Sequence, residues 1–294
     1  MGGVRIALSG PCANLKCASL LTAVLCALGM AGCPSVSSPE SQPSSPAVNV
    51  PVLGDPAGAT TRPDENRYML IVQMRVVSVE VPVGTASGTE ELWSYLDEEP
   101  VSAFRHAGLG RNGWRIGVAR RDVWPDLARI LTHMTGKPLQ ERDFTVIPSR
   151  PMHVSLKENQ PIETIFLSNE DQTLSGADYP PGDYLLTITC TLDRDDPSHV
   201  MVTGIPQVRS THRTPRFIRQ ETGMAMVAEP NYFHFRPLLF RMTIPSGNIV
   251  VIGPGAESRR PSSVGYHFLV HRKEGMEFET VLVLVPRVFA APLR

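Results

Sequence analysis

Beyond residue 67 the chain alternates between apolar and polar positions, and the alternation predicts strands. YMLIVQMRVVSVEV, Tyr68 to Val81, holds valines close together and is followed by Pro82 and Gly84, so it reads as one long strand. In DYLLTITCTLDRDD, Tyr184, Leu186, Ile188, Cys190 and Leu192 share one side, while Leu185, Thr187, Thr189, Thr191 and Asp193 share the other. A period of two this regular predicts a sheet with one buried and one wetter face. Two hairpins are expected to close the chain. YFHFRPLLFRMTI leads through Pro245, Ser246, Gly247 and Asn248 into IVVIG, and VGYHFLVHR leads through Lys273, Glu274 and Gly275 into FETVLVLVPRVF. Val281 to Val285 carries no polar residue, which predicts a strand buried on both sides. Pro237, inside the first of these runs, marks a bulge or an edge.

Two segments show a helical period instead. Val123, Leu127, Ile130, Leu131 and Met134 form one apolar stripe. Asp122 is the expected N-cap, Pro125 sits early enough to be tolerated, and Gly136 is the stop. Trp124 beside the stripe reads as core packing. Ser87 and Glu90 have capping-box spacing ahead of TEELWSYLDEE, which predicts a short surface helix with Leu92 and Leu96 on one side. Asn112-Gly113 predicts a turn, with a short strand after it. The fold class is therefore α+β: a strand-rich body, mostly antiparallel, with two helices. A break into two subdomains, if there is one, falls near 137–180.

The first 67 residues follow other rules. Arg5 and Lys16 are the only charges among residues 1–32, and SLLTAVLCALGM, Ser19 to Met30, is nearly all apolar. That is the layout of an export signal, and its core is shorter than the roughly 20 apolar residues of a permanent span. Met30-Ala31-Gly32-Cys33 resembles the bacterial lipoprotein cleavage box, although Met30 stands where that box prefers Leu. The resemblance implies that residues 1–32 are removed and that Cys33 becomes the lipidated first residue, partnered by membrane lipid. The alternative is an ordinary secretory peptide with an incidental Cys33. From Cys33 to about Arg67 the chain is rich in Pro, Ser, Ala and Gly and cannot bury enough apolar surface to order itself, so it reads as a flexible tether.

Processing at that box changes the cysteine and charge counts. Cys12, Cys17 and Cys26 would be discarded, leaving Cys33 and Cys190, so an acylated Cys33 leaves Cys190 without an intramolecular partner. The large, mostly apolar neighbours of Cys190 predict a buried, inert thiol. Taking Arg5 and Lys16 from the 28 basic residues leaves 26 against 29 acidic ones, a formal charge near −3. No overall basic field would draw the body onto nucleic acid. STHRTPRFIRQ, Ser210 to Gln220, holds three arginines and a histidine and reads as a solvated face.

The search for catalytic patterns finds little. Paired zinc-protease histidines, a nucleophile elbow, a phosphate-binding glycine loop and a dinucleotide fingerprint are all missing from the sequence. His234 and His267 fall on predicted strands, and His271, four residues past His267, would share its face. A metal there would need ligands from another strand. In LDRDDPSH, Asp193, Asp195, Asp196 and His199 lack the ordered spacing and terminal Glu of a calcium loop, because Pro197 closes the run. Glu98 and Glu99 are adjacent and do not share a helix face. No catalytic residue, metal site or cofactor is assigned.

One resemblance covers the tail. TIPSGNIVVIGPG, a stretch of about 25 residues, then ETVLVLVPRVF, resembles the close of the bacterial secretin homology domain. Gly247 with Val250-Val251-Ile252-Gly253 matches its glycine turn and strand, and Leu284-Val285-Pro286-Arg287-Val288 matches its final strand. LIVQMRVVSVEVP, with Glu80, is similar to the strand that opens that domain. Pro254 replaces a second glycine, and a segment the family carries between these elements is missing. Gly247, Gly253, Gly275 and Pro286 are assigned structural roles. The leading expectation is an envelope lipoprotein, lipid-anchored with its body facing the periplasm, that acts as a non-enzymatic interaction or assembly module with envelope protein partners. The resemblance implies the alternative, a divergent secretin-like channel or channel-associated subunit of a secretion or pilus system. A hydrolase or binding protein whose site is assembled from distant residues is the third class.

Overall fold

The apolar runs pair as antiparallel strands in a computed structural model that describes residues 68–193, 196–220 and 223–292. The signal-like segment, Cys33 and the tether lie outside the described residues. In chain order the elements are β1 (Tyr68–Pro82), α1 (Ala103–Arg111), β2 (Trp114–Ala119), α2 (Trp124–Thr135), β3 (Glu141–Val146), β4 (Pro151–Gln160), β5 (Glu163–Ser168), β6 (Leu174–Tyr179), β7 (Gly182–Leu192), β8 (His199–Gln220), β9 (Gly223–His234), β10 (Phe240–Pro245), β11 (Ile249–Pro254), α3 (Val264–Leu269), β12 (Val270–Lys273) and β13 (Met276–Pro292). Strand-rich and antiparallel with few helices, the fold is α+β.

The first sheet has the order β2-β11-β13-β1-β3, with β12 added on β13. The second has the order β10-β8-β7-β4, with β9 added on β8, and β5 pairs β6 by itself. The chain changes sheet between Val146 and Pro151 and returns between Pro245 and Ile249.

Alternation decides what each face of the first sheet meets. Val72, Met74 and Val76 of β1, Val250 and Ile252 of β11, and Leu282 and Leu284 of β13 join Tyr184, Leu186, Ile188 and Cys190 of the second sheet in one buried cluster. Their odd-numbered neighbours Val77, Val79, Val251, Val281, Val283 and Val285 pack instead with Leu127, Ile130 and Leu131 of α2. The first sheet is thus the middle of three layers, α2, sheet, sheet, so β11 and the Val281–Val285 stretch of β13 have no polar face. Val281 to Val285 are 0–5% exposed, and β13 pairs with both β1 and β11.

Several expectations need correction. TEELWSYLDEE makes only a short 3-10 turn at Trp93–Tyr95. Ser87 does not cap it, because its backbone and hydroxyl both bond Glu279, while the indole N–H of the buried Trp93 donates to the Ala86 carbonyl at 2.9 Å. Long-range contacts hold that segment where local capping would have made a helix. Asp122 is not the cap of α2 either. It pairs with Arg120, Arg121–Val123 form a 3-10 turn, and the helix starts at Trp124. Gly136 does end α2, at φ +64°.

VGYHFLVHR is a short helix before it is a strand, because the Ser263 hydroxyl accepts the Tyr266 amide at 3.1 Å and starts a turn. His267 consequently lies on α3 and His271 on β12, so the two do not share a strand face. Pro237 falls in a 3-10 turn, Arg236–Leu238, that separates β9 from β10. Pro245 to Asn248 do not close a hairpin, since β10 pairs β8 while β11 pairs β2 and β13. Nor is the second side of β7 wet throughout: Leu185 and Thr187 are 1% and 9% exposed. The hairpin through Lys273, Glu274 and Gly275 forms as expected, with Gly275 at φ +84°.

Candidate interaction surfaces

The positions singled out in the sequence divide into internal and solvent-facing ones. Cys190 is fully buried, and burial pushes its thiol up to about 12, which leaves almost no thiolate at neutral pH. Gly247, at φ +88°, donates its amide to the Pro286 carbonyl at 2.7 Å, so the link between sheets is pinned onto β13. A side chain on Gly253 would crowd the Trp93 ring, because a Cβ there would stand 3.2 Å from it. The three secretin-like segments, distant in sequence, fall on adjacent strands in the order β11-β13-β1. Glu80 on β1 bonds Lys273 and contacts His271; burial works to raise its carboxyl, but the Lys273 hydrogen bond and the contact with His271 outweigh it and hold it below its ordinary value.

Titratable groups gather in two further places. Glu98 meets Arg115 at 2.7 Å and His106 at 2.7 Å, and Arg115 lies over the Trp93 ring. Burial raises the Glu98 carboxyl, yet the Arg115 and His106 hydrogen bonds outweigh it and lower the pKa. Glu99 belongs to neither bond. At the start of β5, Glu163 accepts from the Tyr184 hydroxyl at 2.7 Å and contacts His267 at 2.8 Å. The His267 hydrogen bond chiefly lowers Glu163, while burial, then Glu163 itself, raises Tyr184. Nearby Lys157 donates to the Tyr266 carbonyl, and burial brings its pKa down to about 8. The cluster fastens β5 to β7 and α3, and among the described residues no Ser, Thr or Cys side chain is hydrogen-bonded to the His267 imidazole. Thr187 does reach His153 at 2.9 Å, but among the described residues no carboxylate is hydrogen-bonded to that imidazole. Among the described residues no group of three His, Cys, Asp or Glu could hold a metal, and no helix is long and apolar enough to cross a membrane.

The most distinctive outward feature lies in the run that the sequence suggested was merely solvated. β7 accompanies β8 only as far as Ser210, whereas β9 pairs with β8 from Gln207 to Arg209 and, after a register shift, from Arg213 to Gln220. Past Ser210 the two strands form a ribbon that no third strand joins among the described residues. Phe217 faces Met226 and Arg219 faces Met224 across the pair, and cross-strand partners share a side. Phe217, Met224 and Met226 are 69%, 69% and 68% exposed. One side of the ribbon therefore combines these apolar groups with Arg213 and Arg219. On the other, Arg216 pairs with Glu229 at 3.6 Å. The signal was present in the sequence as alternation on both sides of Gly223: Phe217 and Arg219 before it, Met224 and Met226 after it.

No family model matches the chain, and no curated protein matches it. Among solved structures, it is similar to a chain of the Klebsiella pneumoniae type II secretion system outer membrane complex, described as PulD, PulS and PulC HR domain. The likeness runs at 10% identity over 79% of this chain and 41% of that one, with a TM-score of 0.23. This chain thus spans about two fifths of that neighbour's length, and a TM-score of that size does not establish a shared fold.

Proposed function

We propose that the chain is an envelope lipoprotein, anchored through lipid on Cys33 with its body facing the periplasm, and that the body is a non-enzymatic interaction or assembly module. The ribbon carries this reading. Three large apolar side chains held open on one side of a two-stranded ladder make a surface suited to a protein partner. Its test is chemical cross-linking in intact envelopes, comparing the wild type with a variant in which Phe217, Met224 and Met226 are serine. Adducts of higher mass should form with the wild type and disappear in the variant, with the melting temperature unchanged. Adducts that persist in the variant would remove the ribbon from the interaction. For the anchor, Cys33→Ser should move the protein from the membrane to the soluble fraction, and an unlipidated wild-type amino terminus by intact-mass spectrometry would refute it.

The adjacency of the three secretin-like segments on β11, β13 and β1 favours a second reading, a channel or channel-associated subunit. Light scattering on detergent-extracted protein separates the two. A closed ring of many copies supports the channel, and a monomer rules it out.

A further inference from the structure

At one end of the first sheet, α2 stops short of covering the face it packs on. Ile249 of β11 and Val285 of β13 form an apolar floor there, the start of α2 with Trp124 and Pro125 forms a wall, and the turn Gly247-Asn248 closes the far side. The cleft between them is about 630 Å³, within the range of ligand-binding clefts. Four arginines line it. Arg75 is held by Glu141 at 2.8 Å and Asp143 at 3.1 Å, and Arg120 reaches Asp122, the single carboxylate in the lining, at 3.3 Å.

The other two arginines are different. Arg121 and Arg287 have no carboxylate partner among the described residues, and the Arg287 Nε is buried without any hydrogen bond. A buried donor left without an acceptor is costly, and a guanidinium fork matches an oxyanion in shape as well as charge. The backbone narrows the choice of oxyanion. Phosphate sites lean on free amides, but Gly247 N is engaged with Pro286 O at 2.7 Å and Asn248 N with Pro245 O at 3.1 Å. What the cleft offers is guanidinium groups above an apolar floor, with an indole alongside.

We propose that this cleft binds an acidic peptide segment of a partner protein, with carboxylates on Arg121 and Arg287 and an apolar side chain laid against Trp124, Ile249 and Val285. Cleft and ribbon share no residue, so this surface is a second contact and stands or falls independently of the first.

The experiment uses the full chain in detergent and a fluorescein-labelled heptapeptide in which three glutamates alternate with leucine and phenylalanine. Anisotropy should show saturable binding at low salt, weakening as salt rises, and at least tenfold tighter than for the same peptide with glutamine in place of glutamate. Arg121→Gln and Arg287→Gln should each weaken binding about tenfold, the loss of one charge-assisted contact. Arg236→Gln, outside the cleft, should leave it unchanged. Arg121 is exposed, so its variant stays decisive even if the strand substitution at Arg287 unfolds the body. An unlabelled form of the peptide should also quench tryptophan emission, and Trp124→Phe should remove that quenching, because Trp93 and Trp114 are buried. Equal affinity for the glutamate and glutamine peptides, undiminished binding by Arg121→Gln, or tighter binding of phenyl phosphate than of the peptide would each overturn the proposal.

Discussion

The core of β13 and the outer β8–β9 ribbon use the same antiparallel hydrogen bonding and meet opposite fates. Leu282 to Leu284 have strands on both sides and layers above and below, whereas Phe217 and Met226 face each other on a ladder that leaves them largely exposed. Backbone pairing alone therefore buries nothing. A strand contributes to stability here by the number of layers it lies between, and a ladder outside those layers is free to hold side chains for something else. In β13 sequence change should act on folding, and in the ribbon it should act on contact.

The sharpest way to break that comparison is to place one carboxylate in each region. Val283→Asp drives an unpaired charge between α2 and the first sheet and should cost about 4 kcal/mol or more, enough to unfold a marginal domain. Phe217→Asp should stay within about 0.5 kcal/mol, as exposed substitutions do. Circular-dichroism melts of the two variants give the contrast directly, and similar losses would make the ribbon part of the core.

Next in size is Glu279, which is fully buried on β13 and accepts the amides of Gly84, Ala86 and Ser87, each at 3.0 Å. Glu279→Ala strands those donors and should cost about 3 kcal/mol. Limited proteolysis should then cut first at residues 83–88, and protection of that loop in the variant would mean it is held by something else.

A smaller loss, about 1–3 kcal/mol, is expected from Cys190→Ala, which removes one buried sulfur from the shared cluster. A thiol reagent should label wild-type Cys190 only after denaturation, and rapid labelling of the native protein would contradict its placement.

The smallest effect is a pH dependence. Because Glu163 titrates lower when folded, its contribution is present above its unfolded pKa and fades as the pH falls through the folded value. Its part-exposed position limits this to about 1 kcal/mol. Melts in the acid range should show a step that Glu163→Gln abolishes, and an identical acid profile in the variant would assign the step to other carboxylates.

Local periodicity carried much of this fold, and its failures share a physical cause. β1, β7, β13 and α2 were legible because each has an apolar period that tertiary packing then satisfies. The turn at Trp93 and the helix at Val264–Leu269 were not, because a bond from Ser87 to Glu279, far along the chain, and a cap from Ser263 decide them. α1 was invisible for a different reason: AFRHAGLGR has two glycines and buries only Leu109, which leaves no stripe to read. The candidate surfaces were harder still. The ribbon had its alternation but looked polar, while the cleft gathers Arg75, Arg121 and Arg287 from places that only the sheet order joins.

β1 occupies a protected place in its sheet, and that position has a mechanical consequence. Its first residues lie against the end of β13, and from Val72 to Val77 it is held by β3 as well. A pull on the chain ahead of Tyr68 meets one row of hydrogen bonds as far as Ile71 and a second row from Val72 to Val77. To draw β1 out, it would have to shear two rows of hydrogen bonds at once, so traction at the amino terminus is resisted by the middle of the molecule.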